Sequence, residues 1–117
     1  IISSEKDIRQ LKKESYIEAN DNTFLGKLTP NKFDGESIFN TFGQYGSKFS
    51  QISIFNKFSD YGNQFSQLSP FNKFSTTPPK VYLNVEFFAY LTVNTMINPR
   101  IDPENLLEWA ENNVSKF

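Results

Sequence analysis

The chain has 117 residues, a net charge of −1, and neither cysteine nor histidine. That excludes disulfides and thiol catalysis, and it removes the commonest general base and transition-metal ligand. Acids and bases are mixed, without the basic face that nucleic acid or an anionic membrane needs, and no apolar run approaches a membrane-spanning length. The length suits one domain over residues 1–117. The first residue is Ile1 rather than Met, as expected of a piece processed, excised or truncated from a longer protein, without a signal peptide of its own.

Residues 1–15 read as a short N-terminal helix. Ser4 is placed as its N-cap and Asp7 follows three residues later. Ile8 and Leu11 share an apolar face, with Lys6, Arg9 and Lys13 outside. Residues 16–31 read as a hairpin: Tyr16 to Ala19, a turn at Asn20-Asp21-Asn22, and a return strand from Thr23 to Thr29.

Residues 33–76 repeat one unit of sixteen residues nearly three times. Phe33/Phe49/Phe65, Ser37/Ser53/Ser69, Phe39/Phe55/Phe71, Asn40/Asn56/Asn72 and Phe42/Phe58/Phe74 correspond, and Tyr45-Gly46 recurs as Tyr61-Gly62. Within each unit, Ser-Ile/Pro-Phe-Asn-x-Phe has the look of one helical turn capped by its serine, with Pro70 at a first helical position. Aliphatic residues are scarce here, so the phenylalanines are expected to be the local core. Phe39, Phe42, Phe55, Phe58, Phe71 and Phe74 are expected to be largely buried.

Thr76-Thr77-Pro78-Pro79 is a stiff extended connection. Residues 80–94 form a second hairpin: Lys80 to Leu83, a turn at Asn84-Val85-Glu86, and Phe87 to Val93. The segment from Phe24 to Asn31 aligns with Phe87 to Asn94, so the two hairpins read as related units. Asp102-Pro103-Glu104 then starts a C-terminal helix over residues 103–115, with Leu106, Leu107, Trp109, Ala110 and Val114 as its apolar stripe. Trp109 reads as an anchor against the sheet. The expected fold is α+β: two related β-hairpins in an antiparallel sheet, an aromatic-repeat wrap of short helical turns, and a C-terminal helix.

The acid pairs Asp34 with Glu36, and Glu104 with Glu108, have no evident catalytic partner, so no enzyme is expected. Asp34-Gly35-Glu36-Ser37 could offer oxygens to calcium, but the second repeat has Ser50-Gln51-Ile52-Ser53 there; no metal and no cofactor are expected. The reading is a non-catalytic interaction or structural module that binds a protein partner through its surface. Tyr45, Tyr61, Asn40, Asn56 and Asn72 are the candidate contact residues. Carbohydrate binding at the cell surface through the same tyrosines is the alternative. Neither nucleic acid nor membrane insertion is expected.

Between Phe33-Asp34 and Phe49-Ser50, after Phe24-Leu25-Gly26-Lys27-Leu28, the chain resembles a group of uncharacterised bacterial proteins, often secreted or envelope-associated. Their tandem segments resemble Y-D-x-x-S-I-x-N-x-Y-G-x-Y-G-S-x-Y-S, preceded by G-x-x-L-G-x-L and followed by P-P and a strand. The resemblance covers residues 23–94 and implies a secreted or envelope location, with a cytoplasmic one as the alternative. It carries no activity. This chain has phenylalanine at many positions where the group has tyrosine.

Overall fold

The computed structural model describes residues 5–114; the Ser4 cap lies outside them. Chain order gives α1 (Glu5–Lys12), β1 (Tyr16–Glu18), β2 (Phe24–Lys27), β3 (Lys80–Leu83), β4 (Glu86–Leu91) and β5 (Arg100–Ile101). A 3₁₀ turn (Pro103–Asn105) then leads into α2 (Leu106–Asn113). Asp102 Oδ1 accepts the Glu104 N–H at 3.0 Å and opens that turn, with Pro103 directly after it.

The strands form one sheet in the order β2-β1-β3-β4-β5. β1–β2 and β3–β4 are the two expected hairpins, and β1 pairs β3 antiparallel between them. The sheet is mixed rather than antiparallel, because β5 returns after the Asn98–Arg100 connection and pairs β4 in parallel. Ile17, Leu25, Val81, Ala89 and Leu91 from the sheet meet Leu106 and Ala110 from α2 in one core. Trp109 is half-buried against it, with its ring 5.3 Å from that of Phe88.

The first helix departs from its amphipathic reading. Ile8 and Leu11 are exposed, whereas Arg9 is buried. Its guanidinium lies 3.6 Å from the centroid of the Phe24 ring and 4.0 Å from Glu36. An aromatic face and a carboxylate together hold an arginine that a hydrophobicity pattern would leave in water.

Residues between the hairpins are fastened to the sheet at both ends. At the β2 edge, the Lys27 N–H donates to Glu36 O at 2.7 Å and the Ile38 N–H donates to Lys27 O at 2.9 Å. Lys27 Nζ also reaches Asp34 at 2.7 Å, close to Glu14 and Glu36. Burial pushes the Asp34 carboxyl up, but Lys27 and the Glu36 N–H outweigh it and hold it below its ordinary value. At the far end, Val93 N–H donates to Pro70 O and Asn94 Nδ2 to Ser75 O.

The β3–β4 turn closes on two residues, Asn84 and Val85, both at positive φ (51° and 64°). Asparagine tolerates this region, but a β-branched valine does not. The turn is held by neighbours: Ser15 Oγ accepts the Asn84 N–H and Glu14 O accepts the Val85 N–H. Val85→Gly is therefore expected to raise stability by about 1 kcal/mol. Chemical denaturation measures it, and a midpoint that falls in the variant contradicts a strained turn.

Candidate functional site

The repeat is built in steps of three. From Asn31 onward, Asn, Asp, Ser or Gly recurs in steps of three, broken by one step of four in each sixteen-residue unit: Asn31, Asp34, Ser37, Asn40, Gly43, then Ser47, Ser50, Ser53, Asn56, Ser59, then Asn63, Ser66, Ser69, Asn72, Ser75. At most of these corners the backbone C=O accepts the N–H three residues on, as from Asn56 to Ser53 at 3.2 Å. The corner side chain accepts the N–H two residues on, as Ser53 Oγ from Phe55 at 3.1 Å and Asn56 Oδ1 from Phe58 at 3.0 Å. This is the local bonding that suits Ser, Asn and Asp to turns. Among the described residues no helix forms between 31 and 77; β-turns replace the expected helical turns at the Ser-x-Phe-Asn segments, and single α-turns stand at Gly43–Ser47 and Ser59–Asn63, where the N–H of the fourth residue on donates to the Gly43 or Ser59 C=O.

A second set of bonds coils this ribbon. Ser37 Oγ donates to Thr29 O and Ser53 Oγ to Tyr45 O, eight residues back in each case, and Ser75 Oγ donates to Gln67 O. Asn40, Asn56 and Asn72 each donate Nδ2 to the C=O six residues back, at 2.9–3.2 Å. Gly46 and Gly62 fall where the coil passes over itself. A Cβ on either would sit 2.1 or 2.2 Å from the C=O oxygen of Asn40 or Asn56, so no larger residue fits.

Burial follows the coil. Ser37-Ile38, Tyr45-Gly46, Ser53-Ile54, Gly62, Ser69-Pro70 and Pro78 are buried in succession, close to every eighth residue. Half a coil away stand Phe33, Phe42, Phe49, Phe58, Phe65 and Phe74, which are 73–98% exposed. They form an exposed ridge, offset along the chain from the buried Ser-Ile, Tyr-Gly and Ser-Pro positions. Ile38 and Ile54 join the core that the phenylalanines were expected to fill. Phe39, Phe55 and Phe71 are half-buried, while Phe42, Phe58 and Phe74 lie outside. The cause is position: the buried side of every second coil holds the corner serine and the residue after it, so a phenylalanine five residues beyond the serine falls on the exposed side.

The residues proposed from sequence as contacts face inward or are already engaged. Tyr45 is buried, edge-on to Phe24 at 5.0 Å. Tyr61 is half-buried and donates its hydroxyl to Asp21 Oδ2 at 2.8 Å, with Thr23 Oγ1 at 3.0 Å. The Thr23 bond lowers the Tyr61 pKa, but burial and the Asp21 carboxylate carry it upward. Asn40, Asn56 and Asn72 spend both ends of their amides on the coil. The exposed surface therefore lies with the ridge phenylalanines.

Lys32, Lys48, Lys57 and Lys73 each directly precede a ridge phenylalanine, and Lys73 Nζ lies 5.3 Å from the Phe74 ring. None of the four forms an ion pair among the described residues. Between ridge rings lies a cleft of about 470 Å³ lined by Lys32, Phe33, Phe39, Asn40, Thr41 and Phe42. A second groove of about 580 Å³ runs between the coil and α2, with Phe39 and Phe55 facing Leu107 and Glu111. Among the described residues no cluster of three or more metal-ligating side chains forms; Asp34, the calcium candidate, is engaged by Lys27 and the Glu36 N–H.

Comparison with protein-family models, with curated proteins and with solved structures gave no match.

The ridge makes a direct prediction. Phe58→Ala is expected to change stability by less than about 0.5 kcal/mol, as for a surface site, and Ile54→Ala to cost about 2–5 kcal/mol. Denaturant unfolding of the two variants checks it; a Phe58→Ala loss as large as that of Ile54→Ala would put the ring in the core.

Proposed function

We propose that this chain is a non-catalytic interaction module that binds a protein partner through the phenylalanine ridge. In this reading the repeat is an aromatic wrap laid over the sheet and α2, and the two hairpins are related units that anchor its ends. The bonds from Lys27 to the first coil and from Val93 and Asn94 to the last support the anchoring. The sequence resemblance supports a secreted or envelope location.

The observation that carries the proposal is six phenylalanines at matching places of the repeat, each at least 73% exposed. Isolated exposed apolar residues are ordinary, but an ordered row of large aromatics marks an interaction surface. Burying a phenylalanine stabilises by roughly 1.5–3 kcal/mol, so the row holds on the order of 9–18 kcal/mol of unrealised burial. Association costs about 4–15 kcal/mol. The row alone is thus of the right size to hold a partner. Exposed rings are also what a sugar platform needs, and carbohydrate binding is the second reading.

The test compares the native protein with Phe42→Ser, Phe58→Ser and Phe74→Ser combined, in capture from the source cells and on a glycan array. The expected result is capture of a defined protein that disappears in the variant while the unfolding midpoint stays put. Capture unaffected by the substitutions sinks the ridge as the site. Saturable glycan binding lost in the variant makes carbohydrate the ligand instead.

A further inference from the structure

We infer that the ridge is built for an acidic partner: an extended protein segment that alternates carboxylates with apolar side chains. This rests on the interaction reading above and adds the chemistry of the partner. The residue before each ridge phenylalanine is Lys32, Thr41, Lys48, Lys57, Gln64 or Lys73, four cations and no acid. The cations are exposed and unpaired among the described residues, so the charge is free to meet a ligand. The acids of the first coil are engaged by other cations: Asp34 and Glu36 sit on Lys27, with Arg9 near Glu36, and Glu111 of α2, which lines the neighbouring groove with Lys32 and Lys48, pairs with neither among the described residues. Asp60 is exposed but precedes Tyr61, not a ridge ring.

Charge selects among occupants. A second copy packed ridge to ridge would set lysine rows against each other, which like-charge repulsion opposes. An acidic partner is drawn in by the same rows. Shape selects again. The cleft between Phe33 and Phe42, lined also by Phe39, Asn40 and Thr41, is wide enough to take a side chain between rings, and the Thr41 hydroxyl lies on its edge. A bilayer surface would use the ring tips and leave that cleft empty.

The test uses the full chain and labelled synthetic peptides of repeating Asp-Leu-Glu-Ser, Lys-Leu-Arg-Ser and Asp-Ser-Glu-Ser, with phosphatidylglycerol–phosphatidylcholine vesicles alongside. Fluorescence anisotropy is expected to show the acidic apolar peptide binding at least about tenfold more tightly than either control. Lys48→Gln, Lys57→Gln and Lys73→Gln together should weaken it by about tenfold or more with no change in unfolding midpoint, and raising salt from about 50 to about 500 mM should do the same. Equal binding of acidic and basic peptides overturns the inference, as does binding to vesicles but not to the acidic peptide. If capture of a cellular protein depends on the phenylalanines but survives the lysine substitutions, the inference fails while the interaction reading stands.

Discussion

All but one of the corner residues of the repeat, Gly43 being the exception, offer a side-chain oxygen to the backbone N–H two residues on, and the rest of the molecule follows from that bond. A chain with no helix and no strand over more than forty residues must still satisfy its backbone groups where they are buried. Here Ser, Asn and Asp do so locally. Ser53 accepts the Phe55 N–H, donates to Tyr45 O, and takes the Asn56 N–H on its own carbonyl. A fully buried serine is thereby free of unpaired polar atoms, and its small volume lets successive coils approach. The same closeness makes glycine obligatory at positions 46 and 62.

This arrangement inverts the usual assignment of residues to inside and outside. The inner side of the coil is serine, asparagine, glycine, isoleucine and proline; the outer side is phenylalanine and lysine. Ile38 and Ile54 link the coil to the core under the sheet and α2. The sheet supplies the two hydrogen-bonded landings, at Lys27 and beyond Leu91, between which the coil is held. Rigidity matters to a recognition surface, since a preorganised row of rings loses little conformational freedom on binding.

Much of the scaffold was legible in the sequence. The turn residues Asn20-Asp21-Asn22, the β-branched and aromatic strands, and the Asp102-Pro103 start of the 3₁₀ turn that leads into α2 each carry a local signal that the structure follows. β5 was not legible, because a two-residue strand has no periodicity of its own. The repeat was legible as a sixteen-residue unit but not as a coil. Its phenylalanines dominate any hydrophobic reading, and hydrophobicity argues for burial. The decisive signal was weaker and lay in the polar residues: Asn, Asp, Ser or Gly in steps of three with one step of four per unit, which sets where each ring points. The lysines were hidden in the same way. A chain of net charge −1 conceals four cations on one ridge that form no ion pair among the described residues, because its acids lie at other positions.

The account depends on the coil being held by its side-chain caps, and native-state hydrogen exchange reads those bonds one by one. The amides of Phe55, Phe58 and Phe71, which donate to Ser53, Asn56 and Ser69, should be protected to an extent approaching that of β3, although they lie outside any helix or strand. In Ser53→Ala, protection at Phe55 should fall first. Exchange of all three amides at the rate of an unstructured chain would contradict the account, because the ridge would then have no scaffold to stand on.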